Sequence, residues 1–221
     1  TQMKSVGEAM AIGRTFKEAL QKGLRALEID RPGWTVGAQL SDDRLADGNR
    51  QTLRAALRTP TPERIFQIKR ALLTGMTVEE IAERTRIDPW FLNQMRELIE
   101  AEREWVSGRR DGGGEAKERD LLRRMKRMGF SDRQLADLRD VSESDVRVLR
   151  HRLGLRPAYK TVDTCAGEFP SSTPYLYSSY DEENEAQARG DRTVIILGSG
   201  PNRIGQGVEF DYCCVRAALA F

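Results

Sequence analysis

The 221-residue chain is 32% charged, 39% hydrophobic and only 7% aromatic, a composition typical of a protein rich in surface helix and poor in large sheets. Its 36 basic and 34 acidic residues give a formal charge of +2, well short of the basic excess of a dedicated nucleic-acid binder. No stretch approaches the roughly 20 apolar residues needed to cross a bilayer. We therefore expect no membrane association and no nucleic-acid partner.

Cysteine and histidine usage narrows the chemistry further. Of the three cysteines, Cys213 and Cys214 are adjacent and Cys165 is left over, which is a poor disulfide framework. Reduced thiols are the simplest interpretation, and they indicate a cytoplasmic protein. The one histidine, His151, has nothing nearby to orient it, so we expect a surface residue rather than a catalyst.

The first predicted element is an amphipathic helix over residues 16–28. Its apolar residues recur with a period of 3.6, and Thr15 is well placed as the N-cap. Residues 29–48 contain a Pro-Gly pair and scattered polar residues, which predicts a loop. Residues 49–156 are predicted to be almost wholly helical, with one helix that has Pro62 at its first position and a glycine connector at 112–114.

Within this helical region the sequence repeats itself with an offset of 54 residues. The segment at 75–96 recurs at 129–150, where GMT is replaced by GFS, IAE by LAD and MR by LR. Each copy begins with a capping-box pattern, Thr77 with Glu80 and Ser131 with Gln134. A fixed offset predicts two duplicated helix-turn-helix units, and two copies are too few for a solenoid, so we expect a compact bundle.

Paired helices of this kind also occur in DNA-binding proteins, whose second helix lies in the major groove. In that interpretation residues 145–153 would contact the duplex through four basic side chains: Arg147, Arg150, His151 and Arg152. Glu143 and Asp145 argue against it, because two carboxylates at the start of the helix would repel the phosphate backbone. We therefore favour helix packing and keep a helix-turn-helix DNA-binding regulator as the alternative.

Beyond Pro157 the character of the sequence changes. Residues 159–180 contain two prolines, many hydroxyls and several tyrosines, which indicates an extended segment that lies along other surfaces. Residues 193–197 (TVIIL) form a short apolar run typical of a buried parallel strand. One such strand and the helix that follows it cannot bury their apolar faces alone, so we expect the rest of the sheet beyond Phe221.

A glycine turn connects that strand to a helix predicted to begin near Glu209. Strand, glycine turn and helix together are the layout of a phosphate-binding nest. The turn nevertheless lacks the dinucleotide fingerprint, because Arg203 stands at the third glycine position, and it lacks the lysine and hydroxyl of a P-loop. The spacing by itself is a weak nucleotide signal.

Three blocks of the sequence together resemble the large subunit of carbamoyl-phosphate synthetase. Residues 3–14 (MKSVGEAMAIGR) are similar to the family's MKSVGEVMAIGR, and residues 159–169 (YKTVDTCAGEF) form the second block, with YLYS following at 175–178. The third block, GSGPNRIGQGVEFDYCC at residues 198–214, is long and specific. Their order and spacing fit as well, so the resemblance covers the whole chain.

The resemblance implies the domain organisation. The expected fold is mainly α: a helical bundle with the duplicated helix-turn-helix units, plus the β-α start of an α/β pre-ATP-grasp domain. Residues 1–28 would end the carboxyphosphate synthetic half, and residues 29–185 would form a helical oligomerisation domain with an extended segment at 158–185. Residues 186–221 would begin the carbamoyl phosphate synthetic half.

The resemblance also implies the function of a parent enzyme. That enzyme would make carbamoyl phosphate from bicarbonate, glutamine-derived ammonia and two ATP, with Mg or Mn, for arginine and pyrimidine biosynthesis. Its partners would be a small glutamine amidotransferase subunit and further large subunits, as a dimer or tetramer. In the family the ATP and metal ligands lie outside the span matched here, so we assign no catalytic, cofactor-binding or metal-binding residue and expect the segment alone to be inactive.

Two further expectations concern particular residues. Glu8, Gly207 and Glu209 match positions that border the family's internal tunnel, which protects unstable intermediates from water. As the alternative, both glutamates would be ordinary carboxylates at helix starts, where the helix dipole favours them. For self-association, the sequence offers apolar side chains in both repeats that could equally be internal core: Trp90, Phe91, Met95, Val146 and Leu149.

Overall fold

The computed structural model describes residues 5, 7–36, 47–108, 114–187, 190, 192–198, 202–203 and 206–221, and for residues 47–50, 202–203 and 206–210 it describes the backbone only. The helices in these residues are α1 (Phe16–Ala26), α2 (Asp47–Arg58), α3 (Arg64–Leu73), α4 (Val78–Thr85), α5 (Pro89–Ser107), α6 (Glu115–Arg127), α7 (Asp132–Arg139), α8 (Glu143–Arg152) and α9 (Gln206–Ala220). Four short strands accompany them: β1 (Gly7–Glu8), β2 (Ala158–Thr161), β3 (Leu176–Ser179) and β4 (Asn202–Arg203). The chain is mainly α, as the sequence predicts.

Helix α1 lies where its periodicity predicts and is part of the bundle. Thr15 is its N-cap, since the threonine hydroxyl accepts a hydrogen bond from the backbone N–H of Glu18 at 3.2 Å. The inner face of α1, with Gln21 and Leu24, is buried. It packs against α5, the long helix that also contacts α3, α4, α6 and α7. Helix α5 is therefore the centre of the bundle.

Two tryptophans fix the middle of the core. Trp34 and Trp105 are completely buried, and each donates its indole N–H to a backbone carbonyl, of Ile65 at 2.8 Å and of Leu135 at 3.0 Å. A buried indole that finds an acceptor keeps its apolar contact area without leaving a polar group unpaired. Leucine, isoleucine, methionine and phenylalanine side chains from α2 to α8 complete one continuous cluster.

The duplicated units are confirmed as α4–α5 and α7–α8. The turns before them contain Gly75 at φ 81° and Gly129 at φ 89°, a left-handed conformation that favours glycine. The first helix of each unit also ends the same way, on a residue in the left-handed region: Arg86 at φ 60° and Asp140 at φ 53°. A shared offset in sequence thus corresponds to shared backbone geometry.

Two local predictions were wrong in detail. Thr77 and Ser131 do cap α4 and α7, but the return bonds from Glu80 and Gln134 that would complete the boxes do not form. The Glu80 carboxylate instead pairs with two arginines, and Gln134 is buried in the core facing Glu102. The reciprocal box occurs at the start of α8.

The start of α3 also differs from its prediction. The helix begins at Arg64, so Pro62 lies in the preceding turn rather than at the first helical position. The N–H of Arg64 donates to Thr61 in a tighter turn, and helical bonding begins only with Gln67 donating to Glu63. Of the predicted glycine connector, residues 109–113 lie outside the described residues.

The extended segment lies on the bundle as expected. Strands β2 and β3 form an antiparallel hairpin in which Ala158 pairs with Ser179 and Thr161 with Leu176. Residues 193–197, predicted as a buried strand, have no regular secondary structure, and Ile195 and Leu197 are 82% and 91% exposed. A strand needs a neighbour to satisfy its backbone, and the described part of the chain supplies none there.

Candidate functional site: an aromatic surface and a domain junction

An exposed group of three aromatic rings lies where α1 meets α5. The rings of Phe16, Trp90 and Phe91 form a closed set, with centroids 5.7, 5.1 and 4.9 Å apart in tilted or edge-on arrangements. Trp90 remains 54% and Phe91 41% exposed, whereas Phe16 is half-buried. We call these three residues the aromatic surface.

The start of α5 positions the aromatic surface. Asp88 caps the helix by accepting a hydrogen bond from the N–H of Trp90 at 2.7 Å, and Pro89 occupies the first helical position. Since the cap fixes the first turn, both rings project from a rigid element. The Lys17–Glu97 ion pair joins α1 to α5 beside them.

The structure separates the predicted interface residues into two groups. Met95 and Val146 are buried in the core, and Leu149 is half-buried against it. Trp90 and Phe91 are the two members of the predicted set whose side chains are largely exposed. Helical periodicity predicted that these residues share apolar faces but could not separate core from surface.

A second feature brings together the two ends of the described chain. Strand β1 pairs antiparallel with β4, so that Glu8 lies opposite Asn202. Strand β4 lies in the glycine turn, and α9 follows it at Gln206, three residues earlier than predicted. Gly207 and Glu209 lie in the first turn of α9, where only the backbone is described. The backbone thus places the first and third sequence blocks side by side.

A buried charged cluster was not predicted from the sequence. Lys126 donates to Asp132 at 2.7 Å, and Arg150 binds the same carboxylate at 3.0 Å. Burial lowers the pKa of Lys126 to about 8. Burial alone would raise the pKa of Asp132, but its ion pairs and hydrogen bonds with Lys126 and Arg150 hold it below its ordinary value.

A signal for this cluster exists in the repeat. At the positions equivalent to Lys126 and Asp132, 54 residues earlier, the first unit has the apolar residues Leu72 and Val78. Two opposite charges that replace two core residues together indicate a buried pair. The comparison of the repeats that revealed the helices could therefore have revealed the cluster.

Two of the four basic side chains of the predicted recognition helix are held by carboxylates. Arg150 is 7% exposed and holds Asp132, and Arg147 pairs with Glu143 at 2.6 Å on the same helix. Hydrogen bonds from Ser142 lower the pKa of Asp145, so a carboxylate charge remains at the start of α8. This arrangement disfavours the DNA-binding alternative.

The described residues also bear on metal binding and on membrane insertion. No group of three or more histidine, cysteine, aspartate or glutamate side chains there is arranged to hold a metal ion. In the same part of the chain, no helix combines the length and the apolar character that spanning a membrane requires.

Comparison with known proteins gives the family. A family model described as the oligomerisation domain of the carbamoyl-phosphate synthetase large chain matches residues 8–154, more than half of the chain. A second, described as the carbamoyl phosphate synthase preATP-grasp domain, matches residues 190–221. The chain belongs to the carbamoyl-phosphate synthetase large-chain family.

Several relatives share the name carbamoyl phosphate synthase large chain. This chain is 66% identical over 220 residues to the protein of Gemmatimonas aurantiaca, 52% identical to that of a Nostoc species and 48% identical to that of Archaeoglobus fulgidus. Each alignment covers 100% of the chain but only 19% or 20% of the relative. The chain thus spans about a fifth of the length of the curated relatives that it matches.

Both features lie in regions that the carbamoyl-phosphate synthetase family models match. The aromatic surface lies on helices within the match to the oligomerisation domain. The paired strands β1 and β4 lie at the start of that match and within the match to the preATP-grasp domain. The first feature is a candidate contact between subunits, and the second is a candidate junction between domains.

Proposed function

We propose that the chain is the non-catalytic segment of a glutamine-hydrolysing carbamoyl-phosphate synthetase large chain, which joins subunits and links two ATP-using halves. The similarity over 100% of the chain to relatives of that name carries the proposal. The parent would make carbamoyl phosphate from bicarbonate, glutamine-derived ammonia and two ATP with Mg or Mn. It would act in the cytoplasm, in arginine and pyrimidine biosynthesis, together with a small glutamine amidotransferase subunit.

The division into domains is part of this proposal. Residues 1–28 would end the first half, residues 29–185 would form the oligomerisation domain, and residues 186–221 would begin the second half. Helix α1 packs against α5, so the end of the first half would be docked on the bundle. The hairpin β2–β3 and the residues after it would lead along the bundle to the second half.

The self-association of large subunits would use the aromatic surface. Most subunit pairs are related by a two-fold axis, so that the same patch meets its own copy. Large aromatic side chains are the ones that contribute most to such contacts, and here a helix cap holds them rigidly. Trp90 and Phe91 together would therefore be the centre of a contact between two copies.

The experiment is a mass measurement on the protein. Replacing Trp90 and Phe91 together by alanine should lower the mass seen by light scattering after size-exclusion chromatography, from dimer or tetramer to a smaller species. Val148→Ala is the matched control, since Val148 is 65% exposed on α8 and should leave the mass unchanged. An unchanged mass in the double variant would contradict this use of the aromatic surface.

The tunnel assignment stays a prediction for Glu8, Gly207 and Glu209. The pairing of β1 with β4 supports it, because that pairing brings Glu8 next to the turn that precedes the other two residues. In this proposal Gly207 would lie at a narrow point of the passage, into which any Cβ would project. The segment would shape the passage, and the ATP-binding residues would lie elsewhere in the parent.

The tunnel is tested in the full-length enzyme assembled with its amidotransferase subunit. Gly207→Leu should reduce carbamoyl phosphate formation much more than bicarbonate-dependent ATP hydrolysis, because the intermediate is lost in transit. Val148→Leu, an exposed change on α8 outside that domain, should alter neither rate. Equal loss of both rates in the Gly207 variant would argue for a packing defect instead.

A further inference from the structure

A polar cavity of about 310 Å³ lies between α1, the turn from α6 to α7, and the segment that follows β3. Its lining includes Lys22 and Arg25 of α1, Lys126 of α6, and Tyr180. A water molecule needs only about 30 Å³, so the cavity has room for a small solute. It lies in the helical bundle, away from the aromatic surface and from the junction of β1 and β4.

The charged groups around the cavity are paired, with one exception. Lys22 pairs with Glu18 at 2.8 Å, Lys126 and Arg150 share Asp132, and Glu143 pairs with Arg147. Asp132 thus carries one negative charge against two positive ones. The lining itself has three carboxylates and three cations, and Arg147 and Arg150, which lie behind it, leave two positive charges in excess.

Arg25 is the exception. Its guanidinium donates to the carbonyl of Gly129 at 2.6 Å, and no carboxylate of the described residues lies within ion-pair distance of it. Glu18 is the nearest acidic influence, but its carboxylate is held by Lys22 and by the N–H of Arg14. A guanidinium has five N–H donors in a planar fork, so most of its donors remain available.

The electrostatics point the same way. Burial lowers the pKa of Arg25, and the pKa of Lys126 is lowered by burial and then further by Arg150 and Arg25. Burial raises the pKa of the Tyr180 phenol, which therefore stays a neutral donor at the cavity wall. Partly buried cations without a counter-charge are costly, and a bound anion would offset that cost.

We propose that this cavity binds a small oxyanion with two negative charges, of the size of inorganic phosphate, between the guanidinium of Arg25 and the ammonium of Lys126. The planar fork of Arg25 suits two oxygens of one anion, because the bond to the Gly129 carbonyl uses only part of the fork. The bound anion would connect α1 to the turn before α7 and to Tyr180. It would thereby fix the extended segment on the bundle.

The test is the thermal unfolding of the 221-residue chain during a titration with inorganic phosphate, at about pH 7 and with ionic strength held constant by NaCl. The expected result is a rise in Tm of a few degrees that saturates. In Arg25→Met the apparent dissociation constant should increase at least about tenfold, because a charge-assisted contact is lost. Arg96→Met is the matched control and should respond like the unsubstituted chain, since Arg96 is half exposed and paired with Glu100 away from the cavity.

A second measurement does not depend on the variant's folding. In ¹H–¹⁵N spectra of the unsubstituted chain, phosphate should shift the amide signals of Gly129, Phe130 and Ser131 with the same saturation, and should leave those of Trp90 and Phe91 in place. A response without saturation, shifts elsewhere, or an equal response in the two methionine variants would overturn the proposal.

Discussion

The two helix-turn-helix units share a backbone but differ in what they bury and what they expose. Leu72 of α3 and Val78 of α4 are buried at the first unit, whereas the equivalent positions at the second unit hold Lys126 of α6 and Asp132 of α7. On the outside, Trp90 and Phe91 of the first unit correspond to Ser144 and Asp145 of the second. One copy therefore keeps an apolar interior and exposes rings, and the other has a charged interior and a polar surface.

The difference teaches how a duplicated motif diverges without losing its fold. Caps and left-handed turn residues set the helices in both units, because they satisfy backbone groups that every helix end leaves free. The segments that pack beside each unit determine which of its residues are buried, charged or exposed. Beside the second unit, Lys126 and Arg150 lie near the ring of Tyr180, and the Gly129 carbonyl accepts a hydrogen bond from Arg25 of α1. The first unit presents exposed rings instead.

The largest expected effect comes from breaking the charged interior of the second unit. Asp132→Asn leaves Lys126 and Arg150 without their shared counter-charge, and an uncompensated buried charge costs about 3–5 kcal/mol of unfolding free energy. Glu100→Gln is the comparison in the first unit, where Glu100 pairs with Arg96 on the surface. It should cost at most about 1 kcal/mol. Urea denaturation of both variants checks this, and equal losses would refute the contrast.

The two turn glycines should respond unequally to alanine. Both have positive φ, so either substitution strains the backbone by about 1 kcal/mol. A Cβ on Gly129 would also come within 2.8 Å of the Cα of Glu18 in α1, whereas a Cβ on Gly75 would meet nothing within 4 Å. Overpacking typically adds about 1–3 kcal/mol, so Gly129→Ala should lower the free energy of unfolding by about 2–4 kcal/mol. Similar Tm values for the two variants would show that α1 adapts.

The two N-caps should differ by less. Thr77→Ala removes one bond to the N–H of Glu80 and should cost about 1 kcal/mol. Ser131→Ala removes the equivalent bond to Gln134 and also a hydrogen bond from Ser131 to the carbonyl of Pro32 at 2.8 Å. It should therefore cost about 1 kcal/mol more. Denaturation midpoints at an unchanged m-value are the measurement, and a larger loss for Thr77→Ala would contradict the structure.

The remaining effect is a pH dependence. Lys126 has a pKa of about 8 in the folded protein and 10.5 as its ordinary value, so the unfolded chain binds more protons between these values. The free energy of unfolding should therefore rise with pH across that window. Lys126→Leu, which installs the residue found in the first unit, should remove the rise. Urea titrations at about pH 7 and pH 10 test this, and parallel pH profiles for the two proteins would disprove it.

Much of the fold could be predicted from local signals. Thr15, Thr77 and Ser131 were recognised as caps because an N-cap needs only a short polar side chain at the right spacing. The 54-residue offset predicted both units, because a repeat is found by comparing the sequence with itself. The absence of the return hydrogen bonds from Glu80 and Gln134 could not be predicted. The Glu80 carboxylate pairs with Arg54, and the buried Gln134 donates to Glu102, and both partners come from elsewhere in the chain.

What the sequence alone determined is the set of helices, the repeat and the resemblance to the family, since each depends on residues close together or on a matched pattern. Only the tertiary structure decided that Met95 and Val146 belong to the core while Trp90 and Phe91 remain exposed. It alone placed Glu8 opposite Asn202 and, among the residues that the structure describes, left Arg25 without a carboxylate partner. The physical reason is that burial and pairing are set by contacts between distant segments, which neither periodicity nor spacing encodes.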